Sequence, residues 1–171
     1  KIYTFGGMAG QGFIRNSVDE YTIYTRNFAE MTAFQVSRYG HTASLVGTKI
    51  YLWGGETLDN VVVNSLEIYD IDNDSWTMGV AGGTARKYHS TVTLGKKVYF
   101  FGGKNQEGED LNTVDIYDTE TAIWERGVSG GNPRSFHMSL LEEGRIYLMG
   151  GNSSGVTSSS DTFIPEVSGD S

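Results

Sequence analysis

Three histidines, His41, His89 and His137, recur at one constant offset, each third in line after an arginine, Arg38, Arg86 or Arg134. Three imidazoles are a common donor set for catalytic zinc, which needs its ligands about 2 Å from one ion. Residues at the same place in successive copies of a repeat are held apart rather than converged, so the spacing argues for a structural role and no metal site is expected. Gly127-Val128-Ser129-Gly130-Gly131 satisfies G-x-S-x-G, the pattern of a nucleophilic serine on a strand-to-helix turn. The counterpart one offset earlier is Gly79-Val80-Ala81-Gly82-Gly83, with alanine at the serine position, so Ser129 reads as a loop residue. Asp70, Asp72 and Asp74 begin like a calcium loop, but Ser75 and Ala81 stand where the turn glycine and the bidentate glutamate belong. A turn between strands is the better reading. Gly103-Lys104 lacks the upstream spacing and the following Ser or Thr of a phosphate-binding loop. No catalytic constellation and no cofactor is expected.

The chain is rich instead in punctuation and aromatic surface: 23 glycines, 10 tyrosines, 8 phenylalanines and 3 tryptophans in 171 residues. That pairing predicts many short strands joined by tight turns. The absence of cysteine excludes a disulfide framework, thiolate zinc sites and a thiol nucleophile. A formal charge of −8 argues against nucleic acid or an anionic membrane surface as partner. No window approaches the roughly 18 apolar residues of a membrane-spanning helix.

What must position these residues is a repeat. Diglycines fall at Gly6-Gly7, Gly54-Gly55, Gly102-Gly103 and Gly150-Gly151, evenly spaced, ending the runs IYTFGG, IYLWGG, VYFFGG and IYLMGG. The same offset links Asn16, Asn64 and Asn112; Tyr21, Tyr69 and Tyr117; and Phe28 with Trp76 and Trp124. The period, about 48 residues, falls among those of tandem-repeat architectures. One unit reads as four strands: a, HTASLV; b, KIYLWGG; c, SLEIYDI; and d, SWTM. Four strands cannot bury both faces alone, so stacking copies around an axis is the economical solution.

R-x-x-H, an apolar strand, I/V-Y-x-x-G-G, a variable loop, N-x-V/L-D/E-x-Y-D and a Trp shortly after resemble the kelch repeat, whose tandem copies form β-propellers. The resemblance covers nearly the whole chain. It implies an all-β fold of four-stranded antiparallel blades, here a partial propeller. The units are a partial blade over 1–37 (strands b to d), blades over 38–85 and 86–133, and a partial blade over 134–171 (strands a to c) with a Ser- and Gly-rich end. Strand c of that last unit, DTFIPEV, is irregular, with Ser160 where Asn is expected and Pro165 where Tyr is expected.

The repeated residues read as scaffold: each diglycine lets strand b bend where backbones crowd and a Cβ would clash. The Tyr of strand b and Trp76 and Trp124 of strand d fill the space between blades. The arginines have structural partners in Asp19, Glu67 or Asp115 or in neighbouring carbonyls; alternatively they face the channel mouth and bind carboxylates. Individuality lies where copies differ, in the b–c loops MAGQGFIR, ETLDNVVV, KNQEGEDL and NSSGVTSS and in the d–a connections. The kelch resemblance implies that these loops share one protein-binding face. Candidate contacts are Met8, Glu56, Lys104 and Asn152 after the diglycines, Tyr39, Tyr88 and Phe136 near the histidines, and Arg38, Arg86 and Arg134. Phe13, Ile14 and Val61-Val62-Val63 either tuck beneath these loops or are exposed contact points.

A protein partner is therefore expected. The resemblance also admits an enzyme, since kelch relatives include a copper radical oxidase with a Cys–Tyr crosslink, iron-dependent specifier proteins with E-x-x-x-D-x-x-x-H, and a sialic-acid mutarotase. This chain has neither cysteine nor that spacing, so the active groups of such an enzyme, or of a carbohydrate- or ligand-binding propeller, would lie elsewhere. The 171 residues present hold fewer than four units of this period, too few to close a ring of six. The remainder is expected from the same polypeptide or from a second chain.

Overall fold

A computed structural model describes residues 1–153 and 160–163. It holds fourteen strands: β1 (Ile2–Met8), β2 (Ile14–Thr22), β3 (Asn27–Met31), β4 (Thr42–Val46), β5 (Lys49–Trp53), β6 (Leu66–Asp70), β7 (Ser75–Met78), β8 (Ser90–Leu94), β9 (Lys97–Phe101), β10 (Val114–Asp118), β11 (Ile123–Arg126), β12 (Met138–Glu142), β13 (Arg145–Met149) and β14 (Ser160–Phe163). They form four antiparallel meanders, β1-β2-β3, β4-β5-β6-β7, β8-β9-β10-β11 and β12-β13-β14. No helix among the described residues is long and apolar enough to cross a membrane.

Strands a, the first strands of the second, third and fourth sheets, pack side by side, β4 against β8 and β8 against β12. Their contacts are largely polar: Ser44 Oγ lies 2.9 Å from Thr91 Oγ1, and Ser139 Oγ donates to Thr91 O at 3.1 Å. Farther out, apolar side chains fill the spaces between sheets. Tyr51, Trp53 and Leu66 of the second sheet meet Val98, Phe100 and Tyr117 of the third, with Trp124 against them. Tyr99, Phe101 and Val114 meet Ile146 and Leu148 of the fourth. Each such side chain contributes about 1.5–3 kcal/mol by leaving water, which is why strands b and c carry apolar and aromatic residues on both faces.

The diglycines of the second and third units sit where a neighbouring backbone and a histidine converge. Gly54 and Gly55 adopt φ of +71° and +93°. A Cβ at Gly54 would lie 2.8 Å from both Arg86 O and His89 Cε1 of the next unit. The Gly55 N–H donates to that same Arg86 O at 2.8 Å, and Gly103 repeats the bond to Arg134 O. Gly54→Ala therefore combines a left-handed backbone with a collision and is expected to cost about 3 kcal/mol or more. Gly47→Ala, at φ +62° with open space around it, should cost only the backbone penalty of about 1–2 kcal/mol. Equal losses for the two in urea unfolding would show that crowding contributes nothing.

Two expectations need correction. The first b–c segment is not a loop from Met8 onward: β1 runs through Met8, bulges between Phe5 and Gly7, and pairs Met8 with Ile14. The last strand c is not irregular at its aromatic position. Ile146 pairs with Phe163 and Leu148 with Asp161, as Val98 pairs with Tyr117 and Phe100 with Asp115. Phe163 thus takes the tyrosine place and Asp161 the acid place, each two positions earlier than the period puts them. A shift of two preserves which face each side chain occupies, so the strand keeps its pattern. Pro165 lies outside the described residues.

Candidate functional site

Each arginine is a clamp inside its own sheet. Arg86 Nε donates to Thr84 O (3.1 Å), Nη1 to Gly102 O (2.7 Å) and Thr113 O (3.0 Å), and Nη2 to Thr113 Oγ1 (3.0 Å) and to Asp115. Arg38 repeats this with Val36 O, Gly54 O, Ser65 O and Glu67, the last at 2.6 Å. Arg134 bonds Asn132 O, Gly150 O and Asp161. The acids also hold the d–a connections, Glu67 accepting from the Gln35 and Val36 N–H and Asp115 from Thr84 N–H. With Arg38 and Arg86 at 0% exposure and Arg134 at 2%, these guanidinium groups are enclosed and do not form part of the surface. Asp19, the third acid named from sequence, forms no such clamp among the described residues; its neighbour Glu20 takes an ion pair from Lys1 at 2.9 Å.

The histidines staple one unit to the previous one. His89 Nε2 lies 2.7 Å from Thr42 Oγ1, and His137 Nε2 lies 2.7 Å from Ser90 Oγ. His41 Nε2 donates to Phe5 O at 3.1 Å. Burial, reinforced by the preceding arginine, pushes His41 and His137 down to about 4 and His89 well below its usual value, so all three are neutral imidazoles. The hydroxyl partners at Thr42 and Ser90 went unnoticed in the sequence, although each directly follows a repeated histidine. Trp76 and Trp124 also reach back one unit, their Nε1–H donating to Thr32 O (2.7 Å) and Val80 O (2.8 Å).

Asp70 Oδ1 accepts from the Asp72 and Asn73 N–H, and Asp118 Oδ1 repeats this with Glu120 and Thr121. The calcium-like sequence is thus an aspartate-stabilised turn. Among the described residues no group of three or more His, Asp or Glu side chains is placed to hold a metal ion.

The loop face is built from short bridges just beyond the diglycines. Glu56 bridges Tyr39 on one side and Val62 on the other, Lys104 bridges Lys87 and Asp110, and Asn152 bridges Ser135. Glu56 is buried rather than presented: it accepts from Tyr39 OH at 2.6 Å and pairs with Lys87 of the next unit. Burial pushes the Glu56 carboxyl up, but Lys87 and Tyr39 outweigh this and hold it below the usual carboxylate value. Lys104 pairs with Asp110 at 2.9 Å, while Met8 and Asn152 are exposed. Of the apolar loop residues, Val62 is tucked in, whereas Phe13, Leu58 and Val61 are exposed. Gln106 Nε2 donates to Asn60 O and its Oε1 accepts from Val62 N–H, joining two b–c loops.

Beside these bridges runs a ladder of equivalent residues, Gly40, Tyr88 and Phe136. Tyr88 N–H donates to Gly40 O at 2.7 Å and Phe136 N–H to Tyr88 O at 2.9 Å. The three share φ values of +67°, +57° and +54°. Glycine adopts that conformation freely, whereas a bulky aromatic does so at a cost. The rings stack in sequence: a Cβ on Gly40 would lie 2.9 Å from the Tyr88 ring, and the Tyr88 and Phe136 centroids are 4.0 Å apart at 25°. Phe136 remains 58% exposed.

Four-stranded meanders joined by cross-unit histidine, tryptophan and glycine contacts are β-propeller blades of kelch type. Residues 1–168 match the family model described as the KLHDC2/KLHL20/DRC7 Kelch-repeats domain, and the chain belongs to that family. No curated protein matches the chain. Kelch-repeat domains commonly mediate protein–protein interaction and are generally non-catalytic.

Proposed function

We propose that this domain is a protein-interaction module whose loop face, carrying the b–c and d–a connections, receives a partner protein. The observation that carries this reading is the Tyr88–Phe136 pair, stacked at 4.0 Å on backbone that favours glycine, with Phe136 left largely exposed. Strained backbone kept at an exposed aromatic has no stability rationale, and rigid aromatics are frequent anchors in protein interfaces. Lys104, Asn152 and Met8 contribute polar and apolar contacts around this pair, and Phe13, Leu58 and Val61 supply further exposed apolar surface.

Phe136→Gly separates binding from folding. It gives up one stacking contact but relaxes a left-handed residue, so unfolding free energy should change by less than about 1 kcal/mol. Affinity capture with this variant should lose partners held by the wild-type domain. Capture of the same partners in the same amounts would remove Phe136 from the interface.

A further inference from the structure

A cation stands at the start of strand b in every unit, Lys1, Lys49, Lys97 and Arg145, at the end of the sheet away from the diglycines and the loop face. In the first unit that cation and the tyrosine two places on, Tyr3, hold an anion that the chain itself supplies. Buried Glu20 accepts from Tyr3 OH at 2.7 Å and from Lys1 at 2.9 Å. Lys97 has Glu125 at 3.2 Å. The second unit keeps the cation and the tyrosine, Lys49 and Tyr51, but carries Ile68 in the place of Glu20 and Thr77 in the place of Glu125. Lys49 accordingly forms no ion pair among the described residues, and Asp70, opposite it in the ladder, accepts from the backbone of its own turn. Beside Lys49, between the second and third sheets, lies a cavity of about 430 Å³. Tyr51 and Val46 line it, and Thr119 adds a hydroxyl. Lys96 brings a second cation without an ion-pair partner among the described residues, where the preceding interface has uncharged Thr48. Glu120 is the one acid among the described lining residues and is exposed. Burial raises the Tyr51 phenol, so its O–H stays a donor at neutral pH.

We propose that this cavity is a site for a small phosphate monoester, its phosphate between the Lys49 and Lys96 ammonium groups and its apolar part against Tyr51 and Val46. Glu20 supplies the template, since one cation and one tyrosine hydroxyl there suit the single charge of a carboxylate. Two cations suit the nearly double charge of a phosphate monoester. The volume falls in the range of small-molecule sites. The cavity lies at the opposite end of β5 and β9 from the loop face, so a ligand here and a partner there do not compete for the same surface.

Phenyl phosphate is a suitable ligand for the test, titrated into the 171-residue chain at constant ionic strength and followed by the NMR signals of the Gly47 and Gly95 amides, which border the cavity. Saturable shifts are expected with a dissociation constant of about 4 mM or tighter, as a ligand of this size reaches at ordinary efficiency per atom. Benzoate, with one charge, and inorganic phosphate, with no apolar part, should each bind at least about threefold more weakly. The double variant Lys49→Gln, Lys96→Gln should weaken phenyl phosphate about tenfold. Both side chains are exposed and without ion pairs among the described residues, so the thermal midpoint should hold. Absence of saturable shifts, or an affinity unchanged in the double variant, would overturn the proposal. Benzoate or inorganic phosphate binding as tightly as phenyl phosphate would do the same. The three-ligand comparison leaves the chain unaltered and so holds whatever the double variant does to folding.

Discussion

Arg86→Met is expected to lower the unfolding free energy by about 3–5 kcal/mol, the range for breaking a buried ion pair from one side. The loss has two parts. Asp115 is left as a buried carboxylate without its cation, Gly102 O loses its arginine donor, and Thr113 O keeps only the Gly102 N–H. Leaving buried acceptors unmade is costly in its own right. For a domain of ordinary stability, roughly 5–15 kcal/mol, this is a large fraction of the total. Arg86→Lys keeps the charge, but one ammonium group cannot reach acceptors spread around a planar fork, so it should recover less than half of the loss. The double variant Arg86→Met, Asp115→Leu removes both charges and should be more stable than Arg86→Met alone, yet less stable than wild type because Gly102 O stays without its donor and the Thr84 N–H loses its acceptor. Urea unfolding of the three variants checks the series, and a loss under about 1 kcal/mol for Arg86→Met would show that the clamp does not hold the blade.

The clamp also marks how far the sequence could be read. The repeat period placed Arg38 and Arg86 in register with Glu67 and Asp115, and both pairs form. It could not place Asp161, because the last b–c connection is shorter by two and counting by the period lands on Phe163 instead. Only hydrogen-bond register distinguishes the two, since a shift of two leaves the alternation of faces unchanged. The crowding at the diglycines was legible because glycine has few other reasons to recur in a strand-ending pair. Glu56 was not: comparing copies assigns it to a variable loop, and its burial comes from Lys87 in the next unit and Tyr39 in its own. Contacts between units leave no mark on the spacing within a unit, which is also why the Thr42–His89 and Ser90–His137 staples escaped notice.

Those staples set the second large effect, a loss of stability on acidification from pH 6.5 downward. His41 and His137 are depressed from 6.5 to about 4 by burial and by Arg38 and Arg134, and His89 is held well below its usual value by burial and Arg86. Below pH 6.5 the unfolded chain takes up protons that the folded chain refuses, so stability is full above that value and declines towards pH 4. A depression of about 2.5 pKa values corresponds to roughly 3 kcal/mol for each of His41 and His137. The hydroxyl contacts are not what resist protonation, because Thr42 and Ser90 can accept from a charged ring. The obstacle is the other nitrogen: Nδ1 of His89 and His137 is buried without a partner among the described residues, and the imidazolium would place an N–H there with no acceptor. Carboxylates held low in the fold, Glu56 and Asp118 among them, push in the same direction but only as pH falls through their unfolded values near 4. The window from pH 6.5 to 5 therefore isolates the histidines. Unfolding free energies across that window should fall steadily for the wild type, and His137→Gln should flatten the slope by about one proton. A wild-type stability that stays level from pH 7 to 5 would mean that the rings are solvated and do not close the blades.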